Sequence, residues 1–134
     1  MKSWIYTPSK IHTPIPEGIK KKTLKSIDDY ITNTLKPQYP TTFNPESKAR
    51  QCVGFYAKWR KAYVYLGRHI HDTRTNVIST EYEEPCIRLT YSKANLFIPA
   101  YLRHTGTYQE ISFGEALPLQ ECLQMLEIYW QTMV

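Results

Sequence analysis

Long apolar runs are missing from this sequence of 134 residues. No stretch reaches the ~18 consecutive apolar residues that a transmembrane helix needs, so we expect no membrane partner. Residues 1–16 also lack the uninterrupted apolar segment of a signal peptide. We therefore predict a soluble protein of the cytoplasm.

Cysteine is scarce, and its spacing excludes two kinds of site. Cys52, Cys86 and Cys122 are an odd number of widely separated residues. Neither a disulfide framework nor a CxxC metal knuckle can be drawn from them. We expect three free thiols in apolar surroundings, since cysteine in a reducing compartment behaves as a small apolar side chain.

Catalytic motifs are also missing. The sequence contains no glycine-rich phosphate-binding loop, no G-x-S-x-G elbow and no catalytic-cysteine motif. Its two carboxylate pairs, Asp28-Asp29 and Glu83-Glu84, are sequence neighbours, whose side chains diverge on a helix and are solvated in a loop. These absences favour a protein that has no catalytic residues and needs no cofactor.

Acidic residues are few in the first half of the chain. Residues 1–70 contain 13 Lys and Arg against 4 Asp and Glu, whereas residues 71–134 contain 4 against 8. The division predicts one basic face, which could attract nucleic acid or an acidic protein. Tyrosine is abundant, with 11 residues, and its half-polar ring favours partly exposed sheet faces or contact surfaces.

The apolar pattern predicts an α+β fold. Along the chain, one helix precedes an antiparallel sheet and a second helix follows it. Residues 1–16 are predicted to form an extended, proline-rich arm that packs on a single domain of residues 17–134. The first helix follows Pro16 and should end at Lys36, because a residue before proline avoids helical dihedrals. The last helix should begin near Pro118. Each helix is expected to bury one apolar stripe, formed by Leu24, Ile27, Ile31 and Leu35 in the first helix and by Leu119, Cys122, Leu123 and Leu126 in the last.

Residues of alternating character predict four or five strands between the helices. The first two form a hairpin joined through Trp59-Arg60-Lys61, and residues 71–81 form a polar connection. Pro99 removes a ladder donor, which favours an edge strand or a bulge. The predicted strands cover residues 51–58, 62–70, 86–91, 96–104 and 107–112.

The predicted hairpin interleaves positive charge with aromatic rings. Rings that stack on bases and cations that follow phosphates are the combination that grips single-stranded nucleic acid. The alternative is a sheet face covered by the arm or a helix, with the basic side chains solvated at the turn. The residues of this basic aromatic hairpin are Tyr56, Lys58, Trp59, Arg60, Lys61, Tyr63 and Tyr65.

Two further groups of residues are candidates for binding. Arg103 and His104 end a strand beside a glycine turn, where they could bind an anion or stabilise the turn through neighbouring carbonyls. His69, His71 and Asp72 lie at a strand end and, with His104, are candidates for a metal site, although no recognisable ligand spacing accompanies them. Local solvation is the alternative for this group.

Four consecutive residues, Arg103-His104-Thr105-Gly106, and several segments spread over the rest of the chain resemble an uncharacterised family of short bacterial proteins that is common in cyanobacteria. The resemblance covers most of the chain, and Arg103-His104-Thr105-Gly106 is its most specific part. It implies one compact cytosolic domain and no particular activity. The other matching segments are Trp4-Ile5-Tyr6 with Pro8, Leu35-Lys36-Pro37, Lys58-Trp59, Asn76–Ser79, Arg88 with Tyr91, and Leu117, Leu119, Glu121, Cys122 and Leu123.

The sequence therefore favours a non-catalytic binding module that meets nucleic acid or another acidic partner through the basic aromatic hairpin. One alternative is a small enzyme or metal-binding protein that uses the region of His69, His71 and His104. Another is a structural subunit of a homo-oligomer, which pairs through an open sheet edge or through Tyr129 and Trp130.

Overall fold

The computed structural model describes residues 15–39, 44, 46, 49–73 and 80–133, and it confirms the predicted α+β class. Almost all of the predicted N-terminal arm, and residues 76–79 of the family resemblance, lie outside these residues. The elements in chain order are α1 (Glu17–Tyr30), a π-helical turn (Ile31–Leu35), α2 (Lys36–Gln38), β1 (Arg50–Arg60), β2 (Tyr63–Asp72), β3 (Thr80–Lys93), β4 (Leu96–Leu102), β5 (Tyr108–Glu110), β6 (Leu117–Pro118) and α3 (Leu119–Met133).

The first helix begins where the sequence predicts, because Pro16 accepts from the backbone of Ile19 at 3.1 Å and Glu17 follows as the first helical residue. Its predicted end at Lys36 is wrong, since helical residues continue through Pro37 to Gln38. A proline ring inside a helix collides with the carbonyl four residues earlier. That carbonyl lies here in the wider π turn, which relieves the collision.

The sheet is antiparallel, with strand order β1-β2-β3-β4-β5, and β6 pairs with β4 beside β5. The predicted hairpin of β1 and β2 is confirmed, with Arg60 opposite Tyr63 across a two-residue turn. β3 begins six residues before the predicted start at Cys86. Its early part is polar because it faces charged side chains of β2, and Pro85 is accommodated at a bulge beside Gly67.

Pro99 lies in an interior strand and not at an edge. β4 pairs with β3 on one side, and on the other with β5 from Ala100 onward and with β6 up to Phe97. The backbone N–H that Pro99 lacks therefore falls in the gap between the short strands β5 and β6, where no ladder partner needs it. The described residues form six strands, more than the predicted four or five, because two-residue β6 carries no detectable alternation.

Both long helices pack on one face of the sheet. The apolar stripe predicted for α1 is largely buried, with Ile27, Ile31 and Leu35 in the core. The indole of Trp130 in α3 meets the ring of Phe55 edge-on, with 5.7 Å between centroids. The residues of this core are Ile27, Ile31, Leu35, Val64, Leu66, Cys86, Ile87, Leu89, Phe97, Leu119, Cys122, Leu123, Leu126 and Trp130.

Within the described ranges, no helix combines the length and apolar character that crossing a bilayer requires.

Candidate functional site

Strand alternation gives the sheet two different faces. Side chains such as Phe55, Val64 and Leu89 point to the helices, so their neighbours in each strand point away. In the described part of the chain, strands alone form this second face. We call it the tyrosine face and define it by Tyr56, Lys58, Tyr63, Tyr65, Arg88 and Tyr108.

Three strands bring the tyrosine rings together. The rings of Tyr63 and Tyr65, two residues apart on β2, have centroids 6.0 Å apart. Tyr108 on β5 lies 6.0 Å from Tyr65, although the two residues are far apart in sequence. On β1, Tyr56 lies 5.4 Å from His69 and covers Gly67, where a β-carbon would meet its ring at 2.6 Å. All four tyrosines are half-buried, so each ring is partly exposed.

Arg88 lies between two of these rings. Its guanidinium carbon is 5.0 Å from the ring centre of Tyr63 and 4.6 Å from that of Tyr108. Both distances suit a cation–π interaction, which favours arginine over lysine. Its Nε is buried and has no hydrogen-bond partner among the described residues. Arg88 thus places a permanent positive charge in the middle of the aromatic cluster.

Two phenols of this face, those of Tyr108 and Tyr56, have a pKa above the ordinary value for tyrosine. Burial, with the nearby Tyr65, raises the pKa of Tyr108 to about 12, although Arg88 opposes the shift. Burial and the carboxylate of Glu83 likewise raise the pKa of Tyr56. Among the residues that define the face, the positive charge of Lys58 is partly offset by the carboxylate of Glu83, 2.5 Å from its ammonium. The same ammonium also lies over the ring of Tyr56.

The basic residues predicted at the hairpin lie at one end of the tyrosine face. Lys58, Arg60 and Lys61 are exposed, and Tyr63 begins β2 beside them. Trp59 lies on the opposite side of β1. Its indole packs edge-on against Tyr91, 6.3 Å away between centroids, and its N–H donates to the carbonyl of Lys20 at 3.2 Å. Trp59 therefore joins the sheet to α1 and presents no ring to a ligand on the tyrosine face.

Arg103 and His104 lie away from the hairpin turn. They follow β4, whose first residue is at the hairpin end of the sheet and whose length places its last residue about 20 Å away. Both are exposed, and backbone bonds from Arg103 to Thr107 and from Gly106 to Arg103, each 2.9 Å, close their turn. The structure does not bring these two residues into one site with the basic hairpin.

The histidines weighed for a metal site have other contacts. The ring of His69 lies against Tyr56, and His71 Nδ1 is 3.4 Å from a carboxylate oxygen of Glu81. Asp72 is buried and accepts from the hydroxyl of Tyr82 at 3.5 Å. Across the described ranges, no three His, Cys, Asp or Glu side chains are close enough together to hold a metal ion.

A charged cluster lies at the far end of β2 and β3. The carboxylate of Glu84 pairs with both Arg68 and Arg50. Arg68 has only 10% of its side chain exposed, and Arg50 also donates to the hydroxyl of Tyr82 at 3.0 Å. This cluster links side chains of β1, β2 and β3 at the end of the sheet opposite the hairpin turn.

The cysteines lie in packed surroundings. Cys122 donates to the carbonyl of Phe97 at 3.3 Å, and burial, with Glu121 nearby, raises its pKa to about 12. Burial also raises the pKa of Cys86 and of the partly exposed Cys52. A raised pKa keeps a thiol protonated at neutral pH, which is the opposite of the activation that a nucleophile needs.

Sequence reasoning missed Arg88 and Tyr108 as site residues. The alternation of β3 did place Arg88 opposite its core residues, but nothing local in the sequence pairs it with a tyrosine of β2 or β5. The partners follow from strand register, in which Tyr65 is opposite Arg88. The sequence did indicate that Trp59 faces the core, because it continues the alternation of Phe55 and Ala57.

The arrangement offers stacking surfaces and positive charge without an activated nucleophile or base among its members. Such a surface suits binding of flat, anionic ligands. No family model matches this chain, and neither the curated proteins nor the solved structures contain a match to it. The resemblance to the bacterial family therefore stays a prediction.

Proposed function

We propose that this protein binds single-stranded nucleic acid on the tyrosine face. The observation that carries the proposal is the sandwich of Arg88 between Tyr63 and Tyr108 on a sheet face that no described helix covers. A strand laid across such a face can stack its bases on the rings while its phosphates meet the cations.

The shape of the face favours a single strand over a duplex. Duplex bases are already stacked on one another, so rings on a sheet can reach only bases that are unpaired. The spacing of about 6 Å between neighbouring tyrosines lets adjacent rings contact separate bases. Exposed Arg60 and Lys61 at the hairpin turn extend the face with positive charge for the backbone.

Fluorescence anisotropy of a labelled single-stranded oligonucleotide, compared with its duplex, tests the proposal. Replacing Tyr65 by alanine should weaken binding about 5- to 150-fold, since one base stack is worth about 1–3 kcal/mol. Tyr65→Phe is the matched control, because it keeps the ring and should bind as the unmodified protein does. A Phe variant as weak as the Ala variant would contradict base stacking.

Salt dependence tests the charges separately. Removing Arg60 and Lys61 together should reduce the slope of log affinity against log salt by about 1.4, since each phosphate contact on a single strand contributes about 0.7. Lys36→Ala removes an exposed charge from α2 and should leave the slope unchanged. Equal slopes for both variants would place the binding elsewhere.

A polyglutamate chain of similar length distinguishes nucleic acid from an acidic protein partner. It offers negative charge without bases and should bind far more weakly than the oligonucleotide. Equal affinity for the two polymers would overturn the proposal in favour of an acidic protein. Absence of oligonucleotide binding even at low salt would also overturn it.

A further inference from the structure

Phe113 is held in solvent by the turn that carries it. Its side chain is 104% exposed, in a tight turn in which Glu115 donates to the carbonyl of Ser112 at 3.0 Å. Ser112 is buried and its hydroxyl bonds to the carbonyl of Glu115 at 2.6 Å, which fixes the base of the turn. A phenylalanine presented this way has the form of an anchor residue at an interface.

The backbone at Phe113 is unfavourable for the residue that occupies it. Phe113 has φ +55° and Gly114 has φ +79°. Glycine adopts such angles freely, and asparagine tolerates them well, but an aromatic residue with a β-carbon does so at a cost. Neither core packing nor backbone preference therefore accounts for phenylalanine at this position.

Two glutamates lie at the turn that carries Phe113. Glu115 follows the turn, and the carboxylate of Glu110 lies 3.8 Å from the point where a β-carbon on Gly114 would stand. Both glutamates are exposed. A surface that receives Phe113 should therefore combine an apolar floor with positive charge at its rim.

The same chain has a cleft with those properties. It lies between α1 and the turn after β3 and has a volume of about 240 Å³. A cavity of about 150 Å³ accommodates benzene, so a phenyl ring fits. Ile19 and Ala94 supply apolar wall, Lys22 supplies positive charge, and none of the described residues that line the cleft is acidic. The lining residues are Ile19, Lys22, Thr23, Ser26, Ala94 and Asn95.

We propose that Phe113 of one copy inserts into this cleft of a second copy, with Glu110 and Glu115 facing Lys22. The division of the chain into a basic first half and an acidic second half supports a second copy as the occupant, because one chain supplies both complementary surfaces. The contact joins two different patches. If each of two copies inserts its Phe113 into the cleft of the other, the contact closes as a two-fold dimer. If each copy inserts into a different neighbour, the contact continues into a ring or a chain of copies.

This contact does not use the end of α3, which the sequence offers as one pairing surface. Trp130 is buried against Phe55 and Tyr129 stacks on Tyr101 at 4.3 Å, so the end of α3 is engaged within the fold. The turn and the cleft also contain none of the residues that define the tyrosine face. Loss of self-association and loss of nucleic-acid binding can therefore be observed independently.

Sedimentation velocity of the full chain, freed of nucleic acid and measured over a wide concentration range, tests the proposal. The unmodified protein should gain mass as concentration rises. Phe113→Asn should raise the dissociation constant at least tenfold while the thermal midpoint stays equal or rises, because asparagine suits the backbone. Ile128→Asn is the control: it removes another exposed apolar side chain, 62% exposed on α3, and should associate normally.

Two variants test the cleft itself. Ser26→Trp fills it and should weaken association as strongly as Phe113→Asn. Lys22→Glu should also weaken association, and adding Glu115→Lys should restore it, since the charges are then exchanged. A strict monomer at all concentrations would overturn the proposal, as would association that Phe113→Asn leaves intact or that Ile128→Asn abolishes.

Discussion

Gly67 is the position where one added methyl group should disturb both the sheet and the tyrosine face. A β-carbon there would lie 2.6 Å from a ring carbon of Tyr56 and 2.7 Å from its hydroxyl, and it would also collide with the backbone oxygen of Glu84. The tyrosine ring can swing aside. The oxygen cannot, because β3 is held in the ladder on both sides of its bulge.

The size of the effect follows from these two contacts. Overpacking of a filled site costs about 1–3 kcal/mol, and the displacement of β3 beside its bulge weakens backbone pairing by about one hydrogen bond, or about 1 kcal/mol. We expect Gly67→Ala to lower the free energy of unfolding by about 2–4 kcal/mol, a large part of the stability of a typical domain. The thermal midpoint should fall on the order of 10 °C.

Urea unfolding followed by circular dichroism measures this difference. Gly18→Ala is the matched control, because nothing lies within 4 Å of a β-carbon at this helical position. It should stabilise the protein by up to about 1 kcal/mol, so the two substitutions should have opposite signs. Removing the ring as well, in Tyr56→Ala with Gly67→Ala, should recover only part of the loss. A Gly67→Ala protein within about 0.5 kcal/mol of the original would refute the reasoning.

Three further predictions concern the core, the charged cluster and alkaline stability. Leu126→Ala should cost about 2–5 kcal/mol in urea unfolding because the side chain is fully buried, whereas exposed Gln124→Ala should change little. Glu84→Gln leaves two arginines without their shared carboxylate and should cost about 2–4 kcal/mol, against less than about 0.5 kcal/mol for Glu81→Gln, whose side chain is 74% exposed. The raised pKa of Cys122, about 12 against an ordinary 9.0, contributes stability that is full below pH 9 and is lost as pH rises toward 12. Above pH 9 the unmodified protein should therefore lose up to about 1.4 kcal/mol per pH unit more than Cys122→Ala, and equal slopes would disprove burial of the thiol.

Elements with a strong local pattern were predictable. The stripes of the two helices, the β1–β2 hairpin and the strand character of residues 96–102 depend on spacing within one segment, and the structure confirms them. The start of β3 was not predictable from alternation, because Glu83 and Glu84 are polar and Pro85 follows. Their pairing with Lys58 on β1 and Arg68 on β2 ties this polar segment to the sheet.

The candidate site was predictable only in part. The charged and aromatic composition of the hairpin pointed to Lys58, Arg60 and Tyr63, which lie at one end of the tyrosine face. Composition could not show that Trp59 faces α1, nor that Arg88 lies between rings from two other strands. Both depend on which side of the sheet the helices cover.

The sequence by itself determined the kinds of elements, the positions of their apolar stripes and the division of charge along the chain. These properties follow from the periods of helix and strand and from residue type, which act over a few neighbours. Only the tertiary structure decided that Tyr108 meets Tyr65, that Phe113 stands in solvent and that a basic cleft opens beside α1. These features depend on strand register and helix packing between residues distant in the chain, for which a local pattern carries no information.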